Sequence, residues 1–365
     1  MGRKINYTPA AQINARDLRN SLLKEARDLN FISNLSDTSF TRSLIETKEA
    51  TGNARYYSPI KAVSDGALIY ILMSNNDSDT AKNGIVALDA FSLEVVATAY
   101  GMFSMPTMVD IIVDENNLYV LGSGTMETEV YKCDKLTLQV SSTYVETFFI
   151  SSVHGICFSG ANIFLLGTFE GVGGVRKIDK ATMVGNATKW LDIYGIPFWT
   201  AIAARSNYFY VATKINQALV IKVEIATMTL SAVWQGAVGE NNAMALDLDG
   251  TSLYVALSAA TTIIKKIDLV TMTTTGSYDL GAAADNDIIA ISQTSTTILA
   301  LIADGAGTGN WQLIQKSDMS GLSAGAISDC SAVVQVIAVK IWQHFITQQS
   351  AGNYYAKKVP VGIYT

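Results

Sequence analysis

Short apolar runs separated by polar turns recur along most of the chain at a nearly constant interval. Each unit opens with a turn followed by aliphatic and aromatic residues, as in SDGALIYIL, DENNLYVL and DGTSLYVAL. An interval near 45 residues holds about four short strands, which is typical of the blades of a β-propeller. The aligned positions, 44 to 49 residues apart, are Tyr70, Tyr119, Phe164, Tyr210, Tyr254, Leu299 and Phe345.

A second landmark follows each run: an acidic residue, then Ser or Thr, then Leu or Met, as in KIDKATM and KIDLVTM. At the turn between the third and fourth strands, such a carboxylate can accept bonds from backbone amides and from the Thr hydroxyl. The Leu or Met is expected to pack between neighbouring blades. The acids are therefore predicted to be structural, and they are Asp89, Asp134, Asp179, Glu224, Asp268 and Asp318.

Together the two landmarks predict an all-β fold, a seven-bladed β-propeller with an N-terminal α-helical arm. We expect the arm at residues 1–36, a linker and closing strand at 37–56, and the propeller at 57–365. The seventh unit has only three strands, and Ser39–Ala50 is predicted to pair beside it and close the ring, which removes two open sheet edges.

Two motifs carry a resemblance to known proteins. LYV occurs at Leu118–Val120 and Leu253–Val255, and KID-x-x-T occurs at Lys177–Thr182 and Lys266–Thr271. In this the chain resembles the quinoprotein-like and YVTN-type propellers. The resemblance implies blades over roughly residues 57–365 and no particular chemistry.

The predicted arm is amphipathic. Thr8-Pro9 is a favourable helix start, and small apolar side chains then recur at spacings of three and four. Three interpretations remain open: the stripe caps the propeller, lies on a membrane surface, or docks on another protein. For docking, the contact residues are predicted to be Leu18, Leu22, Ala26 and Leu29.

Charge separates the arm from the rest of the chain. The net charge is −6, but residues 1–32 carry six basic and three acidic side chains, so the remainder is strongly acidic. An acidic body is a poor nucleic-acid binder. No apolar stretch reaches the length of a membrane span, and the basic N-terminus is not followed by the apolar region of a secretory signal.

No catalytic, cofactor-binding or metal-binding motif is found in the sequence. The two histidines and three cysteines lack metal-ligand spacing, and Asp247-Leu248-Asp249-Gly250 occupies a turn position that other units fill with unrelated residues. Polar residues at the start of successive first strands are expected at the channel mouth. They form either a hydrated entrance or a site for a hard cation or polar ligand, and they are Asp110, His154, Thr200, Asn242 and Asp287.

An aromatic cluster marks the longer loop between the third and fourth units. It either packs between blades or forms an exposed patch that contacts sugar rings or a protein. Its members are Trp190, Tyr194, Phe198 and Trp199.

These features favour a structural, non-enzymatic protein of a bacteriophage particle, associated with its tail, fibre, baseplate or portal. Its low charge and its abundance of Thr, Ser, Ala and Gly resemble phage propellers in composition. The expected location is the virion after synthesis in the host cytoplasm, in many copies, with the arm docked on other virion proteins and a contact with host surface glycans. The alternative is a soluble ligand-binding or carbohydrate-active propeller that uses its channel face.

Overall fold

The computed structural model describes the second of two units of the chain, Met1–Ile45 and Glu46–Thr365. The predicted arm lies outside the described residues, and the described part contains no α-helix. The described ranges are 46–49, 58–74, 80, 83–90, 94–125, 127–147, 150–169, 172–191, 199–258, 261–281, 288–303, 309–327, 332–339, 342–348 and 354–360.

The first strand is β1 (Glu46–Glu49), and the next twenty-four strands form six antiparallel sheets of four consecutive strands, which we call blades 1 to 6. The strands of blades 1 to 3 are β2 (Ser58–Ser64), β3 (Leu68–Ser74), β4 (Gly84–Asp89), β5 (Val95–Tyr100), β6 (Thr107–Val113), β7 (Asn117–Ser123), β8 (Thr128–Asp134), β9 (Val140–Glu146), β10 (Ile150–Ser159), β11 (Asn162–Phe169), β12 (Val172–Asp179) and β13 (Val184–Trp190). Those of blades 4 to 6 are β14 (Trp199–Arg205), β15 (Tyr208–Thr213), β16 (Leu219–Glu224), β17 (Thr229–Gln235), β18 (Ala243–Leu248), β19 (Ser252–Ser258), β20 (Thr262–Asp268), β21 (Thr274–Asp279), β22 (Ile288–Gln293), β23 (Thr297–Ala303), β24 (Gly309–Gln315) and β25 (Gly321–Ile327).

A further four-stranded sheet joins the two ends of this unit. It contains β26 (Ala332–Val339), β27 (Trp342–Gln348) and β28 (Tyr354–Pro360), and β1 pairs antiparallel with β28 at its outer edge. The innermost strand, β26, lies beside the first strands of blades 6 and 1. Where the repeat predicted seven units, the structure thus has six blades of consecutive strands and one sheet assembled from both ends, with β1 inside the segment predicted to close it.

The first strands of successive blades lie side by side around the centre, and the buried second strands follow them outward. Each second strand is apolar on both faces because it lies between two neighbouring sheets. Five clusters of buried side chains, each drawn from two consecutive blades, fill these spaces. In blades 3 and 4, for example, the rings of Phe164 and Phe209 lie 5.1 Å apart.

The turn between the third and fourth strands has the predicted structure. Asp134 Oδ1 accepts the amide of Leu136 at 3.0 Å and both the amide and the hydroxyl of Thr137 at 2.8 and 2.9 Å. Asp179 and Asp268 bind their turns in the same way. These hydrogen bonds hold the pKa of each of the three carboxyls below its usual value, and the bonds from the Thr contribute most.

Blade 6 departs from the predicted alignment at this turn. The backbone bond from Gln315 to Ser320 matches the bond from Asp268 to Thr273 in blade 5, so Gln315 occupies the position assigned to Asp318. Asp318 lies three residues further on, where Oδ1 accepts the amide and the hydroxyl of Ser320 at 3.0 and 2.7 Å. A shorter local contact therefore replaces the repeated one.

The last residue of each of these turns combines a left-handed backbone with an apolar side chain. Such a backbone disfavours any residue with a Cβ, by about 1 kcal/mol. Most of these side chains are buried between blades, as the repeat predicted, and that packing offsets the strain. The residues are Leu138 (φ 58°), Met183 (φ 53°), Met228 (φ 55°), Met272 (φ 52°) and Met319 (φ 56°).

Candidate functional site

The first strands line a central cavity of about 440 Å³. Three of the five predicted channel residues contribute to it, Asp110, His154 and Thr200. Lys61 and Asp247 also line it, and the sequence did not identify either as a channel residue. The cavity lining therefore mixes polar and apolar residues and is not a uniform ring of ligands.

Asp110 connects blades 2 and 3. Its Oδ1 accepts the amide of Ile111 at 2.9 Å and its Oδ2 accepts the amide of Ile156 at 3.0 Å. A Cβ on Gly155 would lie 3.0 Å from Oδ2, so the glycine leaves room for this crossing. Lys61 Nζ approaches Oδ1 to 3.8 Å. Both carboxylate oxygens are thus engaged, and Asp110 acts as a link between blades.

His154 and Thr200 lie where the register between the first and second strands slips by one residue. The His154 Nε2 is 3.1 Å from Ser152 Oγ, and burial lowers the pKa of the imidazole, which is therefore neutral at pH 7. The Thr200 hydroxyl donates to the carbonyl of Ala243 in the next blade. Neither arrangement provides the carboxylate-rich oxygen set that a hard cation prefers.

The other two predicted channel residues do not line the cavity in the described structure. Asn242 precedes its strand, has a left-handed backbone (φ 48°) and donates its amide to the carbonyl of Ile215. Met244 lines the cavity in its place, because the first strand of blade 5 begins later in the chain than the repeat predicted, by two residues relative to Asn242. Asp287 lies outside the described residues.

The predicted aromatic patch is not a continuous surface. Trp199 is 1% exposed and packs in the core of blades 3 and 4, so its prediction as a contact residue is wrong and the alternative of packing between blades is correct. Trp190 is 43% exposed and meets Phe169 edge to face at 6.2 Å. Tyr194 and Phe198 lie outside the described residues, as do the arm residues Leu18, Leu22, Ala26 and Leu29.

The turns between the first and second strands and between the third and fourth strands lie at one end of the blades, which we call the turn face. This face holds a charged motif that was not predicted from the sequence. In blade 2, Asp114 Oδ2 accepts the Tyr119 hydroxyl at 3.0 Å and pairs with Lys180 Nζ of blade 3 at 2.8 Å. The same Lys180 nitrogen lies 4.7 Å from the ring centre of Phe158. We call this arrangement the Asp–Tyr–Lys triad.

The triad occurs at three junctions between consecutive blades in the described structure. Asp65, Tyr70 and Lys135 form it between blades 1 and 2, and Asp249, Tyr254 and Lys316 form it between blades 5 and 6. The signal in the sequence was an Asp five residues before the repeated Tyr, together with a Lys just after the third strand of the next unit.

The triads alter the titration of their members. Burial by itself would raise the pKa of Asp114, but bonds from Lys180 and from the amides of Asn116 and Asn117 outweigh it and lower the pKa to about 2. The pKa of Asp249 is lowered by bonds of the same kind, again against burial. Burial and the neighbouring Asp114 raise the pKa of Tyr119. The carboxylates are therefore fixed as structural anions.

Asp247 is the contrasting carboxyl. Burial raises its pKa to about 6, against hydrogen bonds from the Leu248 amide and Gln293 Nε2 and the attraction of Lys316. Gln293 in turn receives a hydrogen bond from the Lys316 ammonium. Gln293 thus connects the channel to a shallow depression of about 520 Å³ on the turn face, which it also lines together with Arg205, Asp249 and Lys316.

The described ranges contain no group of three His, Cys, Asp or Glu side chains placed to hold a metal ion. Across the same ranges, no helix has the length and apolar character needed to cross a membrane.

No protein-family model matches the sequence, and no curated protein matches it. Among solved structures, the β-propeller domain of Cps50 (Swd1) from Myceliophteria thermophila is similar, with a TM-score of 0.64 and 9% identity over 86% of this chain and 100% of that chain. Similarity at this identity establishes the fold and carries no activity. The chain is an all-β propeller.

Proposed function

We propose that this chain is a non-enzymatic structural protein of a bacteriophage particle, a seven-bladed propeller that its N-terminal segment attaches to a neighbouring virion protein. The composite sheet would be the seventh blade. The observation that carries the proposal is the place of β1: it is the outermost strand of that sheet, so the described chain begins at the outer edge of the sheet, at Glu46.

The junctions between blades support a structural role. On the turn face, the charged side chains of the triads are committed to neighbouring blades. The outer strands of blades 1 to 6 are rich in Thr, Ser, Ala and Val, as in VVATAY and TLSAVWQ. Both features suit a rigid body carried in many copies, and the virion itself is inferred from composition.

Two truncations separate attachment from closure. Removing residues 1–45 keeps β1 and should leave the melting temperature unchanged, while the multi-copy assembly seen by light scattering and negative-stain imaging is lost. Removing residues 1–50 also deletes β1 and exposes the edge of β28, so the melting temperature should fall by about 5 °C or more. A full chain that stays monomeric and is missing from purified particles would contradict the proposal.

A second candidate, a ligand-binding propeller, is favoured by the central cavity of about 440 Å³ and its polar lining. Its test is turnover or binding of polysaccharides by the purified full chain, compared with a His154→Leu variant. A monomer that degrades polysaccharide would replace the virion proposal with this one.

A further inference from the structure

Blade 4 breaks the charge pattern of the turn face. Arg205 occupies the position that Asp65, Asp114 and Asp249 hold in the triad blades, and Leu269 stands in the next blade where the triads have a lysine. The acid is replaced by a cation and the cation by an aliphatic residue. The Arg205 side chain is exposed, and its guanidinium forms no hydrogen bond or ion pair with the described residues.

The unpaired guanidinium borders the depression of about 520 Å³ on the turn face. Its Nη2 lies 3.9 Å from the point where a Cβ of Gly250 would be, so it reaches over the neighbouring turn of blade 5. Three hydroxyl-bearing residues, Thr251, Thr294 and Ser295, line the same depression. The Arg205 guanidinium and three hydroxyl-bearing residues thus line the same depression.

Arg205 is the only charged residue among the described ones lining the depression that has no oppositely charged partner there. Lys316 Nζ is 3.2 Å from Asp249 Oδ2 and also binds Gln293, so its charge is neutralised locally. A single guanidinium suits a carboxylate, which it can bind through two parallel hydrogen bonds. The lining has no aromatic ring for stacking a neutral sugar.

We propose that this depression binds an acidic saccharide, with the carboxylate of a hexuronate on Arg205 and its ring hydroxyls on the hydroxyl and amide side chains opposite. This inference rests on the proposed function in one respect: it specifies the class of host glycan that a propeller displayed on the virion would bind. The site itself uses only turn-face residues and not the N-terminal segment.

The neighbouring Asp247 gives the site a dependence on pH. This carboxyl accepts a bond from Gln293 at 3.3 Å and is faced by Lys316, Asp249 and the Leu248 amide. Because burial raises its pKa to about 6, Asp247 loses its charge as pH falls from neutral, while a hexuronate stays ionised. Repulsion between the two then disappears, and binding tightens.

The test is equilibrium titration of the full chain with sodium glucuronate, glucose, acetate and phosphate. Glucuronate should bind with a dissociation constant in the millimolar range, more tightly than the other three, and Arg205→Gln should weaken it on the order of tenfold. Arg205→Lys should fall between. Lys214→Gln, which removes an exposed cation from blade 4 outside the depression, should bind as the unaltered chain does.

Three results would overturn the inference: glucuronate binding no better than glucose, acetate or phosphate binding equally well, or Arg205→Gln leaving the affinity unchanged in a folded protein. Lowering the pH from about 7.5 to about 5 should tighten glucuronate binding severalfold, and Asp247→Asn should abolish that change. Failure here is distinct from failure of the attachment proposal. The chain lacking residues 1–45 should still bind glucuronate, and Arg205→Gln should still assemble.

Discussion

Blade 3 meets its two neighbours with different chemistry on the same face. Toward blade 2 the contact is the triad of Asp114, Tyr119 and Lys180, whereas toward blade 4 the equivalent positions hold Ser159, Phe164 and Ile225. All three members change together, so no charge is left alone in either junction.

Both junctions share a second contact. The third-strand lysine of one blade donates to a backbone carbonyl of the next, Lys132 to Lys180 at 3.0 Å and Lys177 to Ile225 at 3.2 Å. Because the acceptor is a backbone carbonyl, the contact is the same whether the residue that carries it is Lys180 or Ile225. The lysine-to-backbone contact is thus common to both junctions and independent of the side chains around it. The triad is one of two sets of side chains that fit beside it.

The largest effect should come from breaking one triad. In Lys180→Met the stem is retained but the charge is lost, so Asp114 stays partly buried without its cation, and the free energy of unfolding should fall by about 2 kcal/mol. Urea denaturation followed by fluorescence measures this. Lys214→Met, at an exposed position, is the control and should be neutral. A loss no greater than in the control would show that the triad is dispensable.

A smaller effect should appear in acid. The folded pKa of Asp114 is about 2 against an ordinary 3.8, so the unfolded chain takes up the proton first as pH falls. The stability due to this group is complete above about pH 4 and is lost toward about pH 2. Between about pH 5 and about pH 3, the unaltered chain should lose on the order of 1 kcal/mol more than a chain in which junction 2–3 has been made apolar. Parallel acid slopes for the two proteins would contradict this.

The smallest net effect is expected from converting one junction into the other. The triple variant Asp114→Ser, Tyr119→Phe, Lys180→Ile reproduces the residues of junction 3–4, so no buried charge is stranded. Its free energy of unfolding should lie within about 0.5 kcal/mol of the unaltered chain, well above that of Lys180→Met. If the triple variant is as unstable as Lys180→Met, the side chains of the two junctions are not interchangeable.

The sequence predicted the parts of the fold that repeat locally. The four short strands expected in each unit are present in unit 2 as β6 to β9, and the bonds of Asp134 to its own turn follow from three adjacent residues. Local geometry of this kind is carried by residue type and spacing alone.

Features that combine distant parts of the chain were harder to predict. The channel alignment failed at Asn242 because loops of unequal length precede the first strands, and each first strand also contains a slip in register. The triads join residues 60 or more positions apart, as Asp114 and Lys180 are. The left-handed backbone at Met272 was also missed, since Met gives no sign of it.

The pairing of β1 with β28 imposes an order on synthesis. Residue 46 has no partner strand until residue 358 has been made, so a growing chain carries its first strand unpaired while six blades are added. Until then the exposed flanks of the first blade and of the most recent one offer apolar surface to other chains. Completion of this sheet thus waits until β28 has been made, and slow translation before that point would favour aggregation over folding.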